Sequence, residues 1–171
     1  MFHFFYTNIL KPVYFRRDPE EVHNTMTRVG EFLGRHAITR SITSLLFSFT
    51  HPMLEQNLLG IHFPNPVGLA AGLDKNGVAI DFFEGLGFGA VEVGTVTPRP
   101  QPGNPKPRLF RLKNEASLRN AMGFNNHGAE ALLKELGKRK RKICVGVNIG
   151  KNKDTPEDKA IQDYVYLYKY F

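Results

Sequence analysis

The sequence predicts an α/β fold in which parallel βαβ units follow a small helical unit. Three short apolar segments alternate with two segments of helical pattern in the second part of the chain. This alternation is typical of a parallel sheet, and near-continuous apolar runs indicate strands buried on both faces. Polar, motif-like residues follow each predicted strand, at the edge where parallel α/β proteins bind ligands.

Gly and Pro separate the predicted elements. The strands fall at residues 66–72, 90–95 and 143–148, and the helices at about 77–86 and 127–137. A hairpin that turns near Gly60 precedes them. Residues 94–108 hold five Pro and two Gly, which excludes a helix or a central strand. We expect a stiff, ordered loop there, followed by a hairpin that begins with residues 109–112.

The pattern of capping and apolar residues predicts a helical unit in residues 1–53. Asp18 and Pro19 are a helix start, and Gly34 is the expected end of that helix. Apolar residues recur at helical spacing in both helices: Val22, Met26, Val29 and Leu33, then Ile38, Ile42, Leu45, Leu46 and Phe49, before Pro52. The sequence leaves open whether these faces pack on the core or lie at a lipid surface.

The N-terminus is rich in aromatic residues between Phe2 and Tyr6, which suits an interface between water and lipid. It has neither the positive leader nor the cleavage site of a signal peptide. No stretch approaches the roughly 18 apolar residues that span a bilayer. Cys144 is the single cysteine, so an internal disulfide and a cysteine zinc site are excluded, and a cytosol-facing location is expected.

The chain of 171 residues has a net charge of +7, so an anionic partner is expected. Nucleic acid, an acidic membrane surface and an anionic small substrate are the three candidates. Residues 138–142 carry consecutive positive charges, which we interpret as a solvated helix end. A nucleic-acid patch would interleave aromatic or hydrogen-bonding groups, and this run has none.

Two kinds of motif carry candidate chemistry. Residues 70–77 place two Ala and a Gly at a strand end, where a flat ring or a phosphate can approach the backbone, beside the positive charge of Lys75. A plain turn with a capping Asp74 is the alternative, and the glycine spacing matches neither a dinucleotide fingerprint nor a Walker loop. Residues 120–126 and 148–152 are rich in Asn, whose amide can orient a planar ring, although a single Asn is more often a turn residue.

Four motifs in this order resemble the class 2 dihydroorotate dehydrogenases, which are membrane-associated and quinone-linked. They are Asn-Pro-Val-Gly-Leu-Ala-Ala-Gly-Leu-Asp-Lys at 65–75, Gly-Thr-Val-Thr-Pro-Arg-Pro-Gln-Pro-Gly-Asn at 94–104, Met-Gly-Phe-Asn-Asn at 122–126 and Asn-Ile-Gly-Lys-Asn-Lys at 148–153. The resemblance runs from Asp18 to the end of the chain. It implies a partial (β/α)8 TIM barrel with about three strands in residues 54–171, after an N-terminal helical membrane-docking domain in residues 1–53.

The resemblance also implies roles for individual residues. Expected contacts with the cofactor FMN are Ala71, Gly72, Leu73, Asp74, Lys75, Thr95 and Asn148. Expected contacts with dihydroorotate or orotate are Lys75, Asn120, Ala121, Met122, Gly123 and Phe124. His23 and Arg111 resemble polar groups beside the quinone tunnel. Ala121 stands where the family has a larger basic residue, so a side-chain contact is not expected there.

The implied activity is oxidation of dihydroorotate to orotate through FMN, followed by reduction of ubiquinone or menaquinone, in pyrimidine biosynthesis at the cytoplasmic side of the inner membrane. No metal and no nucleic acid take part. The family's catalytic Ser is expected beyond Phe171, and Cys144 lies inside a strand and does not replace it. A barrel needs about 250 residues, so the chain is expected to be part of a longer protein. A soluble class 1-like relative and a membrane-surface or nucleic-acid-binding module are the alternatives.

Overall fold

The computed structural model describes residues 2–138 and 143–171, and its first elements are helical. A helical turn Phe2–Phe5 (α1), a π-helical turn Tyr6–Leu10 and a turn Lys11–Tyr14 (α2) precede the helices Pro19–Arg35 (α3) and Ala37–Phe47 (α4). Asp18 Oδ1 accepts hydrogen bonds from the backbone amides of Glu20 and Glu21 at 2.9 and 3.0 Å. The predicted helix start is therefore confirmed, and the helix ends at Arg35, one residue after the predicted Gly34.

The two long helices bury their small and polar residues and expose much of their apolar surface. In α3 the buried residues are Glu20, Gly30 and Gly34. In α4 Thr43 is buried, whereas Ile38 and Leu45 are 76% and 85% exposed. The apolar face of α4 thus points outward, which decides against the interpretation of this helix as core-facing.

Helix α5, Ile80–Gly85, is the surface against which α3 packs. A Cβ added at Gly30 would come within 2.9 Å of the Phe82 ring, and one at Gly34 within 2.8 Å of the Phe82 backbone nitrogen. Two glycines one helical turn apart therefore permit an approach that a larger residue would prevent.

A parallel three-stranded sheet holds the centre of the fold. It consists of β3 (Gly68–Leu69), β4 (Ala90–Val96) and β7 (Cys144–Ile149), in the order β3-β4-β7. Helix α5 connects β3 to β4, and α6 (Ala129–Gly137) lies between β4 and β7. The predicted βαβ alternation is confirmed. The first strand and its helix are shorter than predicted, because a turn occupies the residues between them.

One face of the sheet packs on helices α5, α6 and α7 (Ala160–Tyr170). The core that forms there contains Ile80, Val91, Val93, Val96, Ala129, Leu132, Leu136, Ile143 and Leu167. The other face carries Glu92 and Gly146 and lines an open cavity of about 410 Å³. In the described residues, therefore, helices bury one face of the sheet, and the face that carries Glu92 and Gly146 is open.

Two antiparallel hairpins complete the fold. Strands β1 (Gln56–Leu58) and β2 (Ile61–Phe63) are joined by Leu59 and Gly60, both with positive φ, which confirms the predicted turn. Strands β5 (Leu109–Leu112) and β6 (Ser117–Asn120) form the hairpin predicted after the Pro-rich loop. Short 3₁₀ turns lie at Pro52–Leu54, Lys113–Glu115 and Glu157–Lys159.

Within residues 2–138 and 143–171, no helix combines the length and the apolar character needed to cross a membrane. The same residues contain no cluster of three His, Cys, Asp or Glu side chains suited to a metal ion. The predicted basic run falls mostly outside the described residues: only Lys138 is described, and its ammonium pairs with Glu135 at 2.5 Å.

Candidate functional site

The turn after β3 leaves open space beside the backbone. The Gly72 amide donates to the Gly94 carbonyl at 2.9 Å, so the turn after β3, which contains Ala71, stays beside β4. Gly72 has a φ of +111°, and a Cβ added there would meet nothing within 4 Å. The strand end is thus an open cradle in which a ligand can approach the main chain.

Asp74 fixes the shape of this turn. Its side chain is 1% exposed. Its carboxylate accepts from the backbone amides of Val78 at 3.0 Å and Ala79 at 2.7 Å. The structure thus turns Asp74, an expected cofactor contact, toward the start of α5. Leu73, the neighbouring expected contact, is 45% exposed.

Lys75 connects the turn to the segment after β6. Its Nζ donates to Asn125 Oδ1 at 2.7 Å and lies 3.6 Å from Met122 Sδ. Burial lowers the pKa of Lys75 below its ordinary value, the positive charge of Arg108 lowers it further, and Glu20 opposes both effects. The lysine is therefore a partly desolvated cation whose charged form an anionic ligand would favour.

Thr95 and Asn148 meet at the carboxyl ends of two neighbouring strands. Thr95 Oγ1 donates to Asn148 Oδ1 at 2.5 Å, and Asn148 Nδ2 donates to Glu92 Oε1 at 3.0 Å. Gly94 makes this approach possible, because a Cβ there would lie 2.4 Å from the Asn148 carbonyl oxygen. The structure brings both predicted residues together in one hydrogen-bonded group.

The segment 120–124 lies beside Lys75 through Met122. Asn120 Oδ1 accepts from the Met122 amide at 2.9 Å, so this side chain also shapes its own turn. Met122 is buried, whereas Ala121 and Phe124 are exposed. Gly123 has a φ of +74°. Of the expected substrate contacts, Met122 alone touches Lys75 among the described hydrogen bonds.

His23 and Arg111 have different surroundings. His23 lines a cavity of about 420 Å³ with Lys75, between α3 and the turn after β3. Burial lowers the pKa of His23, and the charge of Lys75 adds to that effect. Arg111 Nη1 donates to the Arg17 carbonyl at 2.7 Å, and its guanidinium lies 4.9 Å from the centre of the Phe15 ring.

Several polar residues at this edge were missed by the sequence analysis. Asn125 holds Lys75, and Glu20 forms a buried ion pair with Arg108 at 2.8 Å. Asn126 accepts from the Gly128 amide at 2.8 Å, and Asn152 donates to the Arg99 carbonyl at 2.9 Å. The repeated Asn residues were the available signal, but sequence cannot separate those that bind backbone from those that face a ligand.

An open glycine cradle, a half-buried lysine and amide side chains converge at the carboxyl ends of parallel strands. This arrangement is that of an α/β protein whose strand ends are a candidate site for an anionic ligand or a flat ring. A family model described as dihydroorotate dehydrogenase matches residues 53–171. The chain belongs to the dihydroorotate dehydrogenase family, which confirms the resemblance found in the sequence.

Curated relatives carry the name dihydroorotate dehydrogenase (quinone). The protein of Methylobacillus flagellatus is 47% identical over 159 residues, which cover 93% of this chain and 46% of that protein. The protein of Pseudomonas aeruginosa is 50% identical over 157 residues, which cover 92% of this chain and 44% of that protein. The chain therefore spans just under half the length of these relatives.

Two solved structures from Eimeria tenella have a similar fold. The ligand-free dihydroorotate dehydrogenase has a TM-score of 0.74 and 40% identity, covering 89% of this chain and 42% of that one. The complex of that enzyme with ferulenol has a TM-score of 0.71 and 41% identity, covering 85% of this chain and 38% of that one. The fold class is thereby that of an α/β enzyme family.

Proposed function

We propose that the protein is a quinone-linked dihydroorotate dehydrogenase that oxidises dihydroorotate to orotate in pyrimidine biosynthesis. The observation that carries this proposal is the placement of Lys75 beside Asn125 and Met122, next to the open cradle at Gly72. Relatives that share about half of their residues with this chain carry that name. In this proposal the parallel strands belong to a (β/α)8 barrel, which residues 54–171 begin.

The residues at the strand ends fit FMN. The cradle at Gly72 would admit a flat ring, and Thr95 and Asn148 supply a hydroxyl and an amide on the adjacent strands. Ala71 and Leu73 flank the cradle, and Asp74 keeps its shape by binding the backbone of α5. When bound, FMN would accept the hydride from the substrate. The chain's own part is to bind and orient the ring.

Lys75 is the residue that we assign to the carboxylate of dihydroorotate and orotate. It is half-buried, and its ammonium donates to one neutral amide oxygen. A charged donor in such a position gains more from an anion than an exposed lysine would. We assign residues 120–124 to the wall of the substrate pocket, because Met122 Sδ lies 3.6 Å from Lys75 Nζ.

Residues 1–53 form the proposed membrane-docking unit. Leu45 on α4 is 85% exposed, and Phe4 in the N-terminal turns is 69% exposed. Apolar helix faces of this kind lie favourably in the interface of a bilayer. A quinone, ubiquinone or menaquinone, would enter from there toward His23, and the protein would sit peripherally on the cytoplasmic side of the inner membrane.

The test uses the full-length protein, purified with its flavin. We expect flavin absorbance, and reduction of a short-chain quinone that depends on dihydroorotate. Lys75→Ala should weaken orotate binding by at least about tenfold, because it removes a charge-assisted hydrogen bond. The control is Lys134→Ala, since Lys134 is exposed and its ion pair among the described residues is with Glu130 on the same helix at 2.7 Å.

Three results would contradict the proposal. If Lys75→Ala binds orotate as tightly as the parent protein does, Lys75 does not contact the substrate. If the purified protein contains no flavin, FMN is not its cofactor. Electron transfer to fumarate or NAD instead of a quinone would identify a soluble relative.

A further inference from the structure

A buried ion pair joins α3 to the Pro-rich loop. The side chains of Glu20 and Arg108 are 6% and 8% exposed. Arg108 Nε donates to Glu20 Oε2 at 3.0 Å, and Arg108 Nη2 donates to Glu20 Oε1 at 2.8 Å. Lys106 Nζ lies 3.3 Å from the same carboxylate on its exposed side. The planar fork of the guanidinium thus matches both carboxylate oxygens, a geometry that lysine cannot reproduce.

The same guanidinium also organises the loop. Arg108 Nη1 donates to the carbonyls of Pro102 at 2.5 Å and Asn104 at 2.8 Å. Asn104 in turn donates from its amide to the Met122 carbonyl at 3.0 Å and from Nδ2 to the Ala121 carbonyl at 2.9 Å. A continuous series of hydrogen bonds therefore leads from Glu20 to the proposed substrate wall.

On the other side of the pair, α3 carries His23 one helical turn after Glu20. His23 and Lys75 line the same cavity, and Glu20 and Arg108 line it as well. A buried ion pair adds little net stability compared with apolar packing, but it fixes the geometry of the two segments that it joins. Here the segments are the helix on the acceptor side and the loop on the substrate side.

We propose that Glu20 and Arg108 are positioning residues. Their ion pair holds the quinone-binding side and the substrate-binding side of the site in position relative to each other. They act through His23 on α3 and through Ala121 and Met122 on the wall. The proposal rests on the proposed function, because it takes those two sides as the acceptor and substrate sites. It assigns neither residue a chemical step.

The experiment compares the full-length holoenzyme with Glu20→Gln, which keeps the shape of the side chain and removes its charge. Rates are measured with equal amounts of flavin-loaded enzyme. The KM for dihydroorotate and the KM for a short-chain quinone should both rise, each by roughly tenfold, as expected for loss of a buried charge-assisted contact. A pair with a merely structural role would lower thermal stability and holoenzyme yield while leaving both KM values unchanged. Glu130→Gln is the control, because Glu130 is exposed and its partner within the described part of the chain is Lys134.

Arg108→Lys is the second variant. It keeps the positive charge but cannot hold Glu20, Pro102 and Asn104 together, so the two KM values should again rise in parallel. If Glu20→Gln yields no folded holoenzyme, Arg108→Lys decides alone. A rise in one KM only, or in neither, overturns the proposal. If the parent enzyme does not oxidise dihydroorotate, the proposed function itself fails, before any variant is compared.

Discussion

Replacing Asp74 by Ala separates a turn-forming role from a ligand-contacting one. The carboxylate is 1% exposed and accepts from the amides of Val78 and Ala79 at 3.0 and 2.7 Å. Asp74→Ala would leave the buried Ala79 amide without this acceptor, at a cost of about 1–3 kcal/mol, and the part-buried Val78 amide at a smaller cost. We therefore expect the free energy of unfolding of the full-length protein to fall by roughly 2–5 kcal/mol.

The chosen assay is urea unfolding of the holoprotein, followed by circular dichroism and flavin fluorescence. The urea dependence of the unfolding free energy should stay unchanged, since the surface exposed on unfolding stays the same. Asp74→Asn keeps one acceptor oxygen but presents an NH₂ group to a backbone donor. Its free energy of unfolding should therefore fall by less than that of Asp74→Ala. Asp154→Ala is the control: its side chain is 76% exposed, and its pair with Arg99 should contribute at most about 1 kcal/mol.

One outcome would refute the structural reasoning. If Asp74→Ala unfolds within about 0.5 kcal/mol of the parent protein, the two backbone contacts do not stabilise the turn. If flavin affinity falls in that same stable variant, Asp74 contacts the cofactor directly, as the sequence resemblance implies.

Two further predictions concern charge and lipid. Hydrogen bonds from Arg108 lower the pKa of Glu20 below its ordinary value of 4.5, so the stabilisation from this carboxylate is present above that pH and is lost as pH falls through the lowered pKa. The stability difference between the parent protein and Glu20→Gln, measured by urea unfolding from pH 7 to about pH 3, should therefore narrow below pH 4.5, and a widening would contradict this assignment. Leu45→Ser on α4 should leave the unfolding free energy within about 0.5 kcal/mol of the parent, because the side chain is 85% exposed. The same variant should bind phospholipid vesicles more weakly in a sedimentation assay, and unchanged binding would count against α4 as a membrane contact.

Local signals in the sequence predicted local structure well. The helix start at Asp18 and the turn at Gly60 depend on contacts within a few residues, and the structure confirms both. The strands β4 and β7 were also predicted within one residue at each end, because their apolar runs are bounded by Gly or by polar residues.

Long-range pairing could not be predicted in the same way. Glu20 lies in the first turn of the predicted helix, and nothing local indicates its partner Arg108, which stands 88 residues later in the chain. The outward face of α4 was undecided, because helical spacing shows that an apolar face exists without showing what it packs against. The same holds for the Asn residues: Asn126 and Asn152 bind backbone groups of the Pro-rich loop, at Thr97 and Arg99, whereas Asn148 binds the side chains of Thr95 and Glu92.

The distribution of buried charges explains why the site would select an anion. Two buried carboxylates lie near Lys75: Glu20 is held at both oxygens by Arg108, and Asp74 accepts from the backbone amides of Val78 and Ala79. Lys75 has three donors, and its described hydrogen bonds are one to the Asn125 oxygen and one to the Met122 sulfur. An ammonium that is partly desolvated, with neutral acceptors as its hydrogen-bond partners, is stabilised by the arrival of a carboxylate. Under the proposed function, the turn that Asp74 fixes presents a partly desolvated cation, and the carboxylate of an acidic substrate would stabilise its charge.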